Sequence, residues 1–477
     1  MELNIRRIFS FVIILSAVCR ADALAPQRTD AHYHPDSLTG ARISLLVKDV
    51  NTGRTVMEEN PDLCVTPASV TKIITTATAL ELLGPDFRFE TRIAHDGTID
   101  STGTLHGNLY IIGGGDPTLG SSFLGDRNFI NSWCRKIRAA GIRHITGNII
   151  ADSRCYDRCA IPISWCWEDM GTHYAPGVYG LSAYDNACAI LLESGAPGTK
   201  PRIIGIYPDI PGMTIECNVS VLPRYNDSVY VFGVPREKKR YLEGGMPANR
   251  NRYPVRCDIG NPPLYVAESL HSQLPTYGVH CDGRPTDTVL PPARPLVTLF
   301  TYESTDLAEI IRKTNFKSNN MYAEHIFRQL GLKLTDSGSS CAHSASVIRG
   351  YWEAKGIDFS AVRIDDGSGL SPQNAYSARL LTDILCAMRH SPNADAFVRS
   401  LPIAGKEGTV AGFLRGTPLE GKVRAKSGSM SNVQCYAGYI TDGGKEYAFA
   451  ILVNFYGQER KEIRRAITSW LTEAAEL

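Results

Sequence analysis

The sequence predicts an α+β fold, an antiparallel sheet flanked by helices, with a long and mainly β segment between its helical parts. Three observations carry this. An apolar run over 67–84 has helical spacing: Ile73, Ile74, Ala77, Leu80 and Leu83 recur on one face. Between 88 and 288 short alternating segments (104–112, 147–152, 228–232) are separated by Gly, Pro and Asn. The chain closes as strand, turn, strand, helix, over 422–433, 434–441, an Asp442-Gly443-Gly444-Lys445 turn, 447–455 and 459–474. That order is how an antiparallel sheet covered by helices ends.

Taken in order, the first 23 residues read as a secretion signal. Arg6 and Arg7 precede an apolar run over 8–18, followed by Ala21-Asp22-Ala23. Eleven residues at ~1.5 Å rise cover about 16 Å, too short for a bilayer span. Cleavage after Ala23 is preferred to cleavage after Ala25, which Pro26 would follow. Cys19 as a lipid-attachment site fits poorly because Val18 precedes it. No later stretch is apolar enough to span a membrane, so an exported chain, soluble or peripheral, is expected. Residues 41–59 read as two strands about an Asn-Thr-Gly turn, and Pro67 as the first residue of the helix that follows, capped by Thr66. One helix is expected near 125–140, and Pro and Gly thicken over 196–263. Helical periodicity returns over 265–277, 306–314 and 321–332.

Composition narrows the function. The 477 residues are 43% apolar and 21% charged, which is globular, and suggest about three folding units at roughly 150 residues each. Fifty basic residues against 49 acidic ones leave a net charge of +1, without the basic excess of a phosphate-reading nucleic-acid binder. Of thirteen cysteines, twelve follow the signal. Cys155, Cys159 and Cys166 are close enough in sequence for a local bridge, whereas Cys188 and Cys386 sit in apolar runs and read as small core residues. Paired C-x-x-C motifs are absent, so no structural zinc is expected. His32 and His34 read as part of a terminal tail.

Three short motifs carry chemistry. In Ser69-Val70-Thr71-Lys72 the serine and lysine share one helix face. The lysine can take the serine proton only when neutral. Bringing its pKa from ~10.4 to about 7 requires roughly 4–5 kcal/mol against the charged form, which burial and a second cation both supply. Ser318-Asn319-Asn320 places a hydroxyl and an amide just before the helix expected from Met321. Alone it reads as a helix cap. Lys426-Ser427-Gly428 opens a strand with a cation, a hydroxyl and a residue that lets a ligand lie against the strand, a combination suited to a carboxylate. Each motif is weak alone. Their order, S-x-x-K, S-x-N, K-[ST]-G, is that of the serine β-lactamases and penicillin-binding proteins.

On these motifs the chain resembles the class C low-molecular-mass penicillin-binding proteins, which are D-alanyl-D-alanine carboxypeptidase/endopeptidases. The strings 113–119, 147–152, 179–186, 365–371 and 405–409 extend the resemblance over nearly the whole mature chain, and 245 residues separate Lys72 from Ser318. That interval matches the family's two insertion domains. The resemblance implies a serine β-lactamase/transpeptidase-like catalytic domain (24–87 with 289–477), an insertion domain II (88–190 with 257–288) and a nested domain III (191–256). It further implies that Ser69 is the acylated nucleophile and Lys72 its base. Ser318 and Asn320 would relay the proton and hold the substrate amide. Lys426, Ser427 and Ser429 would hold the terminal carboxylate across Gly428, and the N–H groups of Ser69 and Ser429 would form the oxyanion hole. Asp152, Met430 and Ser431 fall where relatives bind the amino end of the stem peptide.

The expected partners are peptidoglycan stem peptides and muropeptides, with β-lactams as covalent inhibitors, in the periplasm. No nucleic acid, cofactor or metal is implied. A β-lactamase or esterase on the same core, and a non-catalytic penicillin-sensing wall protein, are the alternatives. Asp365, Asp366 and Ser368 read as a structural turn below the site rather than a calcium loop, and His325 as a packed helix histidine.

Overall fold

The computed structural model describes Leu38 and residues 40–476, apart from 224–227 and 293. The secretion signal with Cys19, and the His32/His34 pair, lie outside these residues. Strands Arg42–Asp49, Thr55–Glu59, Val423–Met430, Val433–Asp442 and Lys445–Asn454 make one antiparallel sheet, with 445–454 and 42–49 at its centre and 423–430 on an edge. Its middle joins the two ends of the chain, pairing Arg42 with Asn454 through Asp49 with Tyr447. The central strand reads Lys-Glu-Tyr-Ala-Phe-Ala-Ile-Leu-Val-Asn and is buried from Tyr447 onward. A strand covered on both faces has no polar side to alternate with.

One face, through Leu46, Ala450 and Leu452, packs against helix Thr71–Leu83 and its neighbours Leu307–Lys317, Asn320–Gly331 and Ala378–Arg389. The other, through Val47, Ile451 and Val453, is covered by the terminal helix Arg460–Glu476, whose Ile463, Ile467, Trp470 and Leu471 are buried at helical spacing. The intervening chain builds further sheets around their own cores. A five-stranded one runs Pro285–Thr286, Ile149–Asp152, Leu109–Gly113, Glu90–His95, Val297–Glu303, and two three-stranded ones lie within 187–258. The α+β class and the antiparallel sheet flanked by helices are therefore found as expected.

Several local expectations change. The 67–84 helix is divided: Ala68–Val70 is a single 3-10 turn and the α-helix is Thr71–Leu83. Thr66 does not cap it; its hydroxyl donates to Pro372 O at 3.0 Å. Ala68 is held at φ +49°, a left-handed conformation unusual for a residue with a side chain. The helix expected from 321 begins at Asn320, capped by Asn319, whose side chain accepts from Tyr322 N. Helices Cys341–Ala354 and Ala378–Arg389 were not foreseen. All twelve described cysteines are free thiols, Cys155, Cys159 and Cys166 among them, and Cys386 is only half-buried.

Candidate active site

Ser69 sits on the 3-10 turn and Lys72 one helical step further, with Lys72 Nζ 2.9 Å from Ser69 Oγ. Lys72 is fully buried. Its Nζ makes two other contacts, donating to Asn320 Oδ1 at 2.7 Å and to Ser368 O at 2.5 Å. Burial pushes this amine down to about 7, against smaller opposing effects of Asp366 and Glu324. The geometry gives that shift a direction in space. A neutral amine has two N–H bonds and one lone pair. Two carbonyl acceptors take the N–H bonds, so the lone pair faces the Ser69 hydroxyl.

Ser318 ends helix Leu307–Lys317 in the left-handed conformation (φ +53°), and Asn320 already belongs to the next helix. This tight corner turns the Ser318 hydroxyl toward Lys426 Nζ, which donates to it at 2.9 Å and to Ser427 O at 2.7 Å. Lys426 is fully buried, and burial followed by the nearby Lys72 charge drives its pKa well down. Ser427 Oγ donates to Thr409 Oγ1 at 2.8 Å. A Cβ built on Gly428 would lie 2.6 Å from Pro67 O and 2.9 Å from Ser69 N. Only a glycine lets the edge strand rest on the turn that carries Ser69.

A cleft of about 710 Å³ runs over this constellation, lined by Ser69, Ser318, Asn320, Ser427, Ser429, Met430 and Ser431 among others. Asp152 is not among its lining residues. Its carboxylate accepts from Arg154, which donates from Nε at 2.9 Å and from Nη2 at 2.7 Å. Cys166, Glu168, Asp169 and Tyr174 also line the cleft. Tyr174 is anchored at both ends: its hydroxyl donates to Asp169 Oδ1 at 2.8 Å, and its carbonyl accepts from Asn320 Nδ2 at 2.9 Å. Sequence reading missed these residues. The signal available was an aromatic and acidic cluster, Trp165-Cys-Trp-Glu-Asp169, within an otherwise loop-like stretch.

Beneath the site, Asp366 accepts hydrogen bonds from Trp165 Nε1, Gly369 N, Ser371 N and Asn374 Nδ2 at 2.7–2.8 Å. Glu324 accepts from Gly367 N and Ser368 N, and burial raises it to about 8. These two carboxyl groups shape the 366–369 turn whose Ser368 carbonyl grips Lys72. His325 is buried between Met321 O and Ser182 Oγ, and burial pushes it down to about 4; it packs away from Ser69's partners.

Known proteins are similar to this chain over most of its length. The D-alanyl-D-alanine carboxypeptidase of Actinomadura sp. (strain R39) is 26% identical over 473 residues, covering 94% of this chain and 84% of that protein. The D-alanyl-D-alanine carboxypeptidase DacB of Haemophilus influenzae is 26% identical over 440 residues, covering 90% and 88%. The crystal structure of penicillin binding protein 4 (dacB) from Haemophilus influenzae has the same fold, with a TM-score of 0.79 at 23% identity over 91% of this chain and 96% of that one. A second structure of that protein, complexed with a β-lactam, has a TM-score of 0.76. Residues 26–474 match the D-Ala-D-Ala carboxypeptidase 3 (S13) family, and this chain is a member of it.

Proposed function

We propose that this chain is a serine DD-peptidase that cuts the D-Ala-D-Ala bond of peptidoglycan stem peptides and the D-Ala–diaminoacyl cross-link. The observation that carries the reading is the buried Lys72 amine, 2.9 Å from Ser69 Oγ with its remaining contacts on two carbonyl oxygens. Ser69 Oγ gives its proton to Lys72 Nζ and bonds to the D-Ala carbonyl carbon. The oxyanion accepts from the N–H groups of Ser69 and Ser429. Ser318 relays the proton to the departing nitrogen, the C–N bond breaks, and water later releases the acyl group by the reverse path. The substrate's terminal carboxylate meets Lys426, Ser427 and Ser429, and its charge favours the protonated form of Lys426. Asn320 holds the substrate amide. We assign the amino end of the stem peptide to the wall of Asp169 and Tyr174, with Met430 and Ser431 facing it, in place of Asp152.

A β-lactam follows the same first step, but its leaving nitrogen stays tethered to the acyl group. The relatives' names and the β-lactam complex of a similarly folded protein support this reading. Its substrate places the activity outside the cytoplasm, in the periplasm, and the division into a catalytic domain with two insertions is retained as part of the proposal. Incubation with purified cross-linked and uncross-linked muropeptides, followed by mass analysis, tests it. Loss of one terminal alanine and splitting of dimers are expected. An unchanged mixture refutes it. Labelled penicillin should attach to the native chain and not to Ser69→Ala.

A further inference from the structure

A second groove, of about 430 Å³, lies beside the catalytic cleft, between the 412–417 segment and the first turns of the terminal helix. Its charged lining residues are Arg415, Lys461, Arg464 and Arg465, and no carboxylate lines it. Arg464 also lines the catalytic cleft, so the two grooves share a wall. Its Nη2 donates to Gly412 O at 2.9 Å, and its guanidinium lies beside Tyr436, the cross-strand partner of Ser427. The groove therefore opens from the Lys426–Ser427 end of the cleft. Lys461 pairs with Glu459 at 2.6 Å; among the described residues no ion pair occupies Arg415, Arg464 or Arg465. Three of these cations sit near the N-terminus of a helix, whose dipole already disfavours positive charge. An anion lying across them relieves that repulsion.

We propose that this groove binds the anionic leaving strand of a cross-linked peptide. The inference rests on the proposed peptidase reading, which puts the leaving group at the Lys426–Ser427 end. A single departing D-alanine has one carboxylate, already taken by Lys426 and Ser427, and cannot reach the groove. The leaving strand of a cross-link continues past that carboxylate as a peptide bearing further ones. The groove then favours cross-linked substrates over free pentapeptide ends.

The test compares the native mature chain with Arg415→Ala/Arg465→Ala on a cross-linked dimeric muropeptide and on an uncross-linked pentapeptide. In the variant, kcat/KM on the dimer should fall about tenfold, as for lost charge contacts at a partly exposed surface, and that on the pentapeptide should change less than about twofold. Labelled-penicillin acylation at the native rate shows that the variant is folded; Arg415→Gln/Arg465→Gln replaces it otherwise. Unchanged dimer cleavage, or equal losses on both substrates, overturns the inference. A native chain that releases D-alanine but splits no dimer also overturns it, while leaving the carboxypeptidase reading intact. A native chain that does neither overturns the reading itself.

A different observation carries a second inference. Cys188 and Cys257 face each other across adjacent antiparallel strands, both buried, with Sγ atoms 3.1 Å apart. Cross-strand Cα separations of about 4.5–5.5 Å fall within the range a disulfide spans. We infer that these thiols are joined in the exported protein. Two electrons and two protons pass to the disulfide of a thiol–disulfide oxidoreductase, which becomes a dithiol as the S–S bond forms. Protein purified without reductant, alkylated and digested should yield one joined peptide pair carrying residues 188 and 257. Two separately alkylated cysteines overturn the inference.

Discussion

Two regions of this molecule bury a cation completely, and they do so in opposite ways. In the β region over 187–258 Arg240 is fully buried against Asp258 at 2.6 Å, with further bonds to Glu237 O and Lys239 O. At the catalytic cleft Lys72 and Lys426 are equally buried, yet their hydrogen-bond partners are hydroxyl, amide and carbonyl oxygens, with no carboxylate among them. A guanidinium cannot release its proton, so its charge must be matched. An amine without a matching carboxylate resolves the same cost by giving up the proton. Burial with a counter-charge makes a structural contact; burial without one makes a base.

The largest expected effect tests that division directly. Lys72→Met should lower turnover and penicillin acylation by about 10⁴-fold, while leaving thermal stability unchanged or raised, because a buried amine is exchanged for a thioether of similar length. Arg240→Met should do the reverse. It leaves Asp258 buried without its partner and costs about 3–5 kcal/mol in denaturant titration, with the folded fraction acylating normally. If both variants lose stability alike, the distinction between the two sites fails. Gly428→Ala should cost about 10²-fold in kcat/KM, read by steady-state kinetics, because the new methyl group separates the edge strand from the Ser69 turn by a fraction of an ångström to an ångström.

The pH dependence sharpens the same contrast. With Lys72 at about 7, kcat/KM should rise with pH and level off above that value. Asp366→Asn removes a negative charge that holds this amine up, so the rising limb should move to lower pH. Stability carries its own signature. An unfolded lysine keeps its proton to about 10.4, so between about 7 and 10.4 the unfolded state binds more protons and Lys72 makes stability rise with pH. The smallest effect is expected for Asp152→Ala, less than about twofold in KM for a muropeptide, since its carboxylate is spent on a largely exposed Arg154.

Local pattern was enough for much of this. The alternating strands at the chain end, the terminal helix, and the order of Ser69, Lys72, Ser318, Asn320 and Lys426 were readable because each depends on neighbours a few residues away. The 3-10 turn under Ser69 was not, because it is imposed by the edge strand at Gly428 and by Gly369, where an added Cβ would lie 1.9 Å from Ala68 O. Asp169 and Tyr174 were missed for a related reason: which acid reaches the cleft depends on how a loop folds back over helix 320–331. The sequence by itself determined the chemistry available, two hydroxyls, two amines and an amide. Only the tertiary structure decided that 247 intervening residues return Asn320 to Lys72, because a proton-accepting lysine is made by the dry, carbonyl-lined place it occupies and not by the letters beside it.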